Sequence, residues 1–251
     1  MSLIPSLVGL VAGVVIGATG VGAGALMTPV LLQVFGLPLP LAVGTDLWFA
    51  GLTKLAGSVA HHRRGQVELG VVVRLLAGSL PAALLTLAAL HAGWVSRTGS
   101  MGLALGIALL LTAVLLLARN AWLRLAQRLR WSERRRAQLT VLLGVLLGVL
   151  VTLSSIGAGA IGAAVLVLLH PQMPARRLVG TDLAHAVPLT LVAGVGHALL
   201  GHVDWTLLGA LLIGSIPGIW LGARVGAALP ERATRIGMSA ALLLAGFKLI
   251  A

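Results

Sequence analysis

The chain repeats itself, and a duplicated chain must fold so that two equivalent halves can pack together. Gly44-Thr45-Asp46 returns 136 residues later as Gly180-Thr181-Asp182. The same offset relates His61 to His197, Gly65 to Gly201, Val67 to Val203 and Glu68 to Asp204. It also carries Gly78-Ser79-Leu80-Pro81 onto Gly214-Ser215-Ile216-Pro217. Upstream, Gly22-Ala23-Gly24-Ala25 matches Gly157-Ala158-Gly159-Ala160 one residue out of phase. The matched positions are small, polar or helix-breaking, so shared hydrophobicity does not account for them. In an apolar chain, repeated halves are a hallmark of transporters whose site lies where the halves meet.

That the chain is apolar follows from its composition: 59% hydrophobic and only 10% charged residues. Soluble domains carry about 25% charged residues, so this chain is suited to lipid. With no cysteine, it holds neither a disulfide framework nor a thiolate metal site. The net charge of +12 invites a nucleic-acid reading, but eleven of the eighteen Lys and Arg fall in Arg63-Arg64, Arg119 to Arg136 and Arg176-Arg177. Basic strips between apolar runs are topology signals. The expected partners are the lipid bilayer and a small anion, not nucleic acid; homo-oligomerisation is left open, and no cofactor is called for.

Six runs reach the roughly 20 residues that cross a bilayer as helix: about 40–61, 69–90, 99–118, 178–200, 205–228 and 234–251. Two further runs, 3–35 and 137–169, open the two halves and are each interrupted. The interruptions are Thr19-Gly20-Val21-Gly22-Ala23-Gly24 and Ser154-Ser155-Ile156-Gly157-Ala158-Gly159. Clustered glycines disfavour helix. Unwound backbone at membrane depth survives only where protein or a water-filled cavity satisfies it. Both runs therefore read as broken or re-entrant helices.

If each broken run crosses once, Arg97, Arg176, Arg177, Arg232 and Arg235 face outward. If each turns back, all the arginine strips face the cytoplasm, and only Arg97 and Lys248 are left for the outer side. The positive-inside rule favours the second arrangement. The predicted fold is an all-α integral membrane protein built as an inverted repeat, with a broken or re-entrant helix and three transmembrane helices in each half. Its parts are a first repeat at 1–118, a basic amphipathic linker at 119–136 and a second repeat at 137–251. The linker, with seven arginines and interleaved Trp122, Leu123, Leu125, Leu129 and Trp131, reads as a helix lying on the inner membrane face.

Helix termini leave unpaired N–H groups and carry positive partial charge at the N-terminal end. Two breaks facing each other would cradle an oxyanion. The candidate binding residues are Thr19, Gly20, Gly22 and Gly24 in the first half, with Thr45 and Lys54. In the second half they are Ser154, Ser155, Gly157, Gly159 and Thr181. The competing reading is that the glycines only allow close helix packing. Asp46 and Asp182 within spans suggest ion or proton coupling, although Thr or Asp near a helix start also caps backbone. Lys54, a cation inside a span, pairs with Asp46 or draws an anion; its counterpart is Thr190. His185, on the same face as Asp182, suits a proton relay or a structural hydrogen bond, and Phe49 is its counterpart. His61 and His197 lack a suitable ligand set for a metal. Pro81 and Pro217 are expected to kink matching helices.

These motifs resemble the sulfite exporter TauE/SafE family. The resemblance rests on Gly20-Val21-Gly22-Ala23-Gly24 followed by Pro29, on Leu39-Pro40 leading into Ala42-Val43-Gly44-Thr45, and on Ala60-His61-His62-Arg63-Arg64-Gly65-Gln66-Val67. In the second copy it is carried by Gly157 to Gly159, Val179-Gly180-Thr181 and Gly201-His202-Val203-Asp204. It covers essentially the whole chain and implies secondary transport of small sulfur-containing anions, sulfite or organosulfonates, across a bacterial inner membrane. Alternatives are a passive anion channel, a membrane-embedded enzyme or an assembly factor. Asp46 stands where many members of the family have Ser.

Overall fold

A computed structural model describes residues 3–19, 23–94, 99–129, 131–226 and 231–250, so Gly20 and Gly22 lie outside the described residues. All regular structure among them is α-helical. The first half contains α1 (Ile4–Thr19), α2 (Ala23–Gln33), α3 (Leu39–Arg63), α4 (Leu69–His91) and α5 (Gly99–Leu117). A short α6 (Arg119–Arg128) follows. The second half contains α7 (Glu133–Ser154), α8 (Ala160–Leu169), α9 (Ala175–Leu199), α10 (Trp205–Gly226) and α11 (Glu231–Ile250).

Among the described residues, five helices are long and apolar enough to cross a membrane: α4, α5, α7, α9 and α10. At 25 residues, α3 matches its counterpart α9 in length. Large apolar side chains point outward along these helices, including Leu84 and Leu85 on α4, Leu142 and Leu146 on α7, and Ile213 and Ile216 on α10. Such an outer surface is unfavourable in water and favourable in hydrocarbon. The chain is a multi-pass membrane protein.

The most extensive helix contacts join the halves, α1 with α10, α4 with α7 and α3 with α9; α5 also packs on α11. Glycines make this possible by letting one backbone lie on another. A Cβ on Gly9 would stand 2.3 Å from the Leu211 carbonyl oxygen, and one on Gly144 would stand 2.2 Å from that of Leu75. Gly13 meets Ser215 O at 2.5 Å as Gly148 meets Ser79 O at 2.4 Å, and Gly214 meets Ser6 O at 1.8 Å as Gly78 meets Val141 O at 2.1 Å. Each of these pairs is related by the repeat, at the offset of 136 between α4 and α10 and one residue out of phase between α1 and α7. The repeated glycines are thus the points of closest approach between helices of opposite halves.

Helices α3 and α9 run antiparallel. The start of α3 lies beside the end of α9, where a Cβ on Gly44 would meet the His197 side chain and the His202 carbonyl. The start of α9 lies beside the end of α3, where one on Gly180 would meet His61 and the Gln66 carbonyl.

The second interrupted run turns back on itself. Ser155 ends α7 with a left-handed φ of 59°, and Gly157 and Gly159 follow at φ 130° and 137°. Then α8 returns toward the side where α7 began: His170 Nε2, just past the end of α8, lies 3.2 Å from Thr140 Oγ1 in the first part of α7. Trp131 Nε1 ties the same end by donating to the Leu168 carbonyl at 3.1 Å.

The basic segment differs from its expected form. It is not one helix, because α6 stops at Arg128 and Leu129 is extended. Ser132 then caps α7, its hydroxyl accepting from the Arg135 amide at 3.4 Å, with Glu133 in the first turn. This favourable N-terminus draws Arg134, Arg135 and Arg136 into α7, which starts four residues earlier than the expected 137.

Replacing Gly214 by Val should force α10 off α1 and cost about 1–3 kcal/mol or more. Gly209→Val on the same helix, where a Cβ meets nothing within 4 Å, should leave the thermal midpoint of detergent-solubilised protein unchanged. Equal melting of the two variants would contradict the packing role of the repeated glycines.

Candidate functional site

The break between α7 and α8 is buried, with Leu153 through Ala158 shielded. Its backbone is only partly satisfied. The Ser155 amide donates to the Val151 carbonyl at 2.8 Å, and the Ile156 amide donates to Ser154 Oγ at 3.2 Å. The amides of Gly157, Ala158 and Gly159 find no acceptor among the described residues. The Ser155 hydroxyl is buried and unpartnered too. Ser154 is engaged locally, its Oγ donating to the Leu150 carbonyl at 2.7 Å. Of the two serines, Ser155 is the one with a free donor.

Lys54 reaches this break from α3. Its Nζ donates to the Ala158 carbonyl at 2.8 Å, so the ammonium of one half holds the unwound backbone of the other. It does not make a direct ion pair with Asp46, yet it lies within electrostatic range of Asp182, Asp46 and His185. Its counterpart Thr190 donates at 2.8 Å to Ala186 O of its own helix, so the two halves are unequal here.

The two aspartates are unequal as well. Asp46 Oδ2 accepts a hydrogen bond from Thr28 Oγ1 on α2, while its Oδ1 has no partner. The Ser155 hydroxyl faces this carboxylate without closing a hydrogen bond of normal geometry. Asp182 Oδ1 is also unpartnered, and α8 presses on it through Gly162, whose added Cβ would stand 2.6 Å away. His185 Nε2 lies 2.9 Å from Ser79 Oγ, and its Nδ1 is buried without a partner.

Buried polar groups are normally satisfied. Here Asp46 Oδ1, Ser155 Oγ, Asp182 Oδ1 and His185 Nδ1 are all buried and unpartnered, close to the free amides of the break. With both carboxylates ionised, their two negative charges exceed that of the Lys54 ammonium by one. Each proton taken up moves the cluster toward a positive balance that suits an anion.

Other expected residues serve the joint between halves. Thr45 Oγ1 accepts from the Asp204 amide at 3.0 Å, and Thr181 Oγ1 accepts from the Glu68 amide at 3.0 Å. The adjacent glycines admit the incoming strands of chain, so Gly-Thr forms a reciprocal seat. Thr19 closes α1 and Gly24 lies in the first turn of α2. His197 Nε2 donates to the Thr152 carbonyl at 2.9 Å, and its Nδ1 hydrogen-bonds His202 Nδ1 at 3.3 Å. Among the described residues, no group of three His, Asp or Glu could hold a metal ion.

Two cluster members escaped sequence reasoning. Thr28 was detectable as the hydroxyl beside Pro29 in the limb after the first break. Ser79 sits in the repeated Gly-Ser-x-Pro motif, which reads as a kink and not as a hydrogen-bond partner.

A helical multi-pass chain with a polar cluster buried at a helix break, between duplicated halves, has the architecture of a membrane transporter. The family described as Sulfite exporter TauE/SafE matches residues 6–249, and the chain belongs to it. It is 38% identical to a probable membrane transporter protein, YjnA, of Bacillus subtilis, over 100% of both chains. A second protein of that organism carrying the same description, YdhB, is 28% identical across 95% of this chain and 96% of its own length. A probable membrane transporter protein of Xylella fastidiosa is 27% identical over 95% of this chain and 87% of its own. No solved structure matches the chain. Membership of this family makes it a membrane transporter and not an enzyme.

Replacing Lys54 by Met should strand the Ala158 carbonyl and destabilise the protein by about 1–3 kcal/mol. Lys54→Arg, which keeps a donor and the charge, should recover part of that loss in a thermal melt. A Met variant as stable as the parent would show that the break does not depend on this bond.

Proposed function

We propose that the protein carries a small sulfur oxyanion, of the sulfite or organosulfonate class, across a bacterial inner membrane by alternating access. The observation that carries this reading is the group of free donors at the buried break: the amides of Gly157, Ala158 and Gly159, the Ser155 hydroxyl and the nearby Lys54 ammonium. Fixed amides and one ammonium in a dry site complement an oxyanion. The substrate competes with the Ala158 carbonyl for Lys54. The repeated sequence of the first interrupted run, Thr19 to Gly24, supports an equivalent contribution from the other half.

Asp46, Asp182 and His185 couple transport to protons. An anion next to two ionised carboxylates is repelled, so substrate and proton bind together. Asp182 is the stronger candidate for the carrier, because Asp46 is already held by Thr28. The halves, 1–118 and 137–251 about the basic linker 119–136, act as inverted repeats. The antiparallel crossing of α3 and α9 and the return of α8 along α7 support that arrangement, and the arginine strips support a cytoplasmic linker.

The test is uptake of labelled sulfite and of an alkyl sulfonate into proteoliposomes, with sulfate as competitor and pH varied. Affinity for the anion should rise as pH falls. Ser155→Ala should lower transport roughly tenfold, the effect of one lost charge-assisted hydrogen bond. Asp182→Asn should remove the pH dependence while Asp46→Asn retains part of it. Transport unaffected by Ser155→Ala and equally pH-dependent in Asp182→Asn would remove the proposed site. Conductance without saturation or competition would make the protein a channel instead.

A further inference from the structure

Away from the central cluster, two cavities adjoin each other at the face where α7 and α9 begin. The smaller, of about 240 Å³, is polar and lined by Glu68, Arg136, His170, Gln172 and Arg177 among others. The larger, of about 420 Å³, is an apolar groove between α5, α6, α8 and α9, lined by Leu115, Trp122, Leu123, Ala164 and Val167 among others. His170, Pro171 and Met173 line both. A cationic hollow therefore opens directly onto a hydrocarbon-lined groove.

The charges of the hollow are incompletely matched. Arg177 Nη1 lies 3.5 Å from Glu68 Oε2, with both side chains about half exposed, and an ion pair so exposed contributes little. Arg136 pairs with Glu133 at 3.0 Å, yet its Nε is buried with no partner. His170 is held below its usual pKa first by burial and then by Arg136 and Arg74, with Glu133 and Glu68 acting against them. In the groove, the Trp122 indole N–H is also buried and unpartnered.

The two cavities together have the shape and polarity of an amphiphile with an anionic head. From this juxtaposition we infer that the protein holds one anionic phospholipid here, its phosphate on Arg136 and Arg177 and an acyl chain in the groove beneath Trp122. Basic pockets between transmembrane helices on the cytoplasmic side recognise anionic headgroups in this way. A free anion would use the hollow and leave the groove without purpose, and a neutral lipid would use the groove and leave the arginines without one. The site is separate from the α7–α8 break and does not depend on what the protein transports.

The test uses the full-length protein in a neutral detergent. Phosphatidylglycerol and phosphatidylcholine with the same acyl chains are compared by native mass spectrometry and by thermal shift, with glycerol 3-phosphate and sulfate as chain-free anions. Phosphatidylglycerol should be retained at least about fivefold better than phosphatidylcholine, which is the effect of roughly one basic contact at the membrane surface. Arg177→Gln, at a half-exposed position, should abolish that preference. Ala164→Phe should fill the groove and expel the lipid, and Leu123→Gln on the more exposed α6 provides the same test if the first variant does not fold. Equal retention of the two lipids would overturn the proposal. So would glycerol 3-phosphate or sulfate binding as tightly as phosphatidylglycerol with no effect of the groove variants, which would make the hollow a simple anion vestibule.

Discussion

Backbone that leaves the helix inside an apolar layer must find partners for its peptide groups, and most of this architecture answers to that need. At the α7–α8 turn, the carbonyl of Ala158 is taken by Lys54. The lysine belongs to the other half, so the packing of α3 helps to hold the turn. A buried ammonium in turn needs negative charge nearby, and Asp182 and Asp46 supply it. Removing one member leaves another exposed to an environment that cannot solvate it. The cluster is therefore a single cooperative unit, and its remaining unpartnered donors are the positions where a solute gains most by binding.

Glycine supplies the second requirement, close approach. The pairs Gly9 with Leu211, and Gly144 with Leu75, bring helix backbones of opposite halves into contact at equivalent places. Little hydrophobic force acts between helices in lipid, so close packing and backbone proximity carry the association. The Gly-Thr seats add a directional element, since each threonine hydroxyl receives the amide that precedes the next helix of the opposite half. Packing and hydrogen bonding thus select the same arrangement of the two halves.

Much of this was legible in the sequence. Runs of apolar residues located the helices to within a few positions, because lipid imposes a length on any helix that spans it. Glycine clusters marked the second break correctly, because glycine at positive φ is unstrained where other residues are not. Ser155 was less readable, since a left-handed serine leaves no compositional trace. The role of Lys54 was only half visible. A lysine inside a span announces itself, but its partner is a backbone carbonyl 104 positions away, and carbonyls look alike in every sequence. For the same reason Thr45 and Thr181 read as ligands, when their hydroxyls are committed to amides across the joint. The split of the basic segment into α6 and the first turn of α7 depended on Ser132 as a cap, a local preference that a strip of arginines obscured.

The reciprocal seats have an evolutionary corollary. The glycine contacts and Gly-Thr seats by which the first half holds the second are returned at matching places, and α3 crosses α9 head to tail. A single ancestral segment with these residues could have gripped a second copy of itself, provided that the two copies were inserted into the bilayer in opposite senses. Fusion into one polypeptide removes the reliance on such dual insertion, and it frees each copy to drift. Lys54 where the other half has Thr190, and His185 where it has Phe49, are differences that such drift would leave.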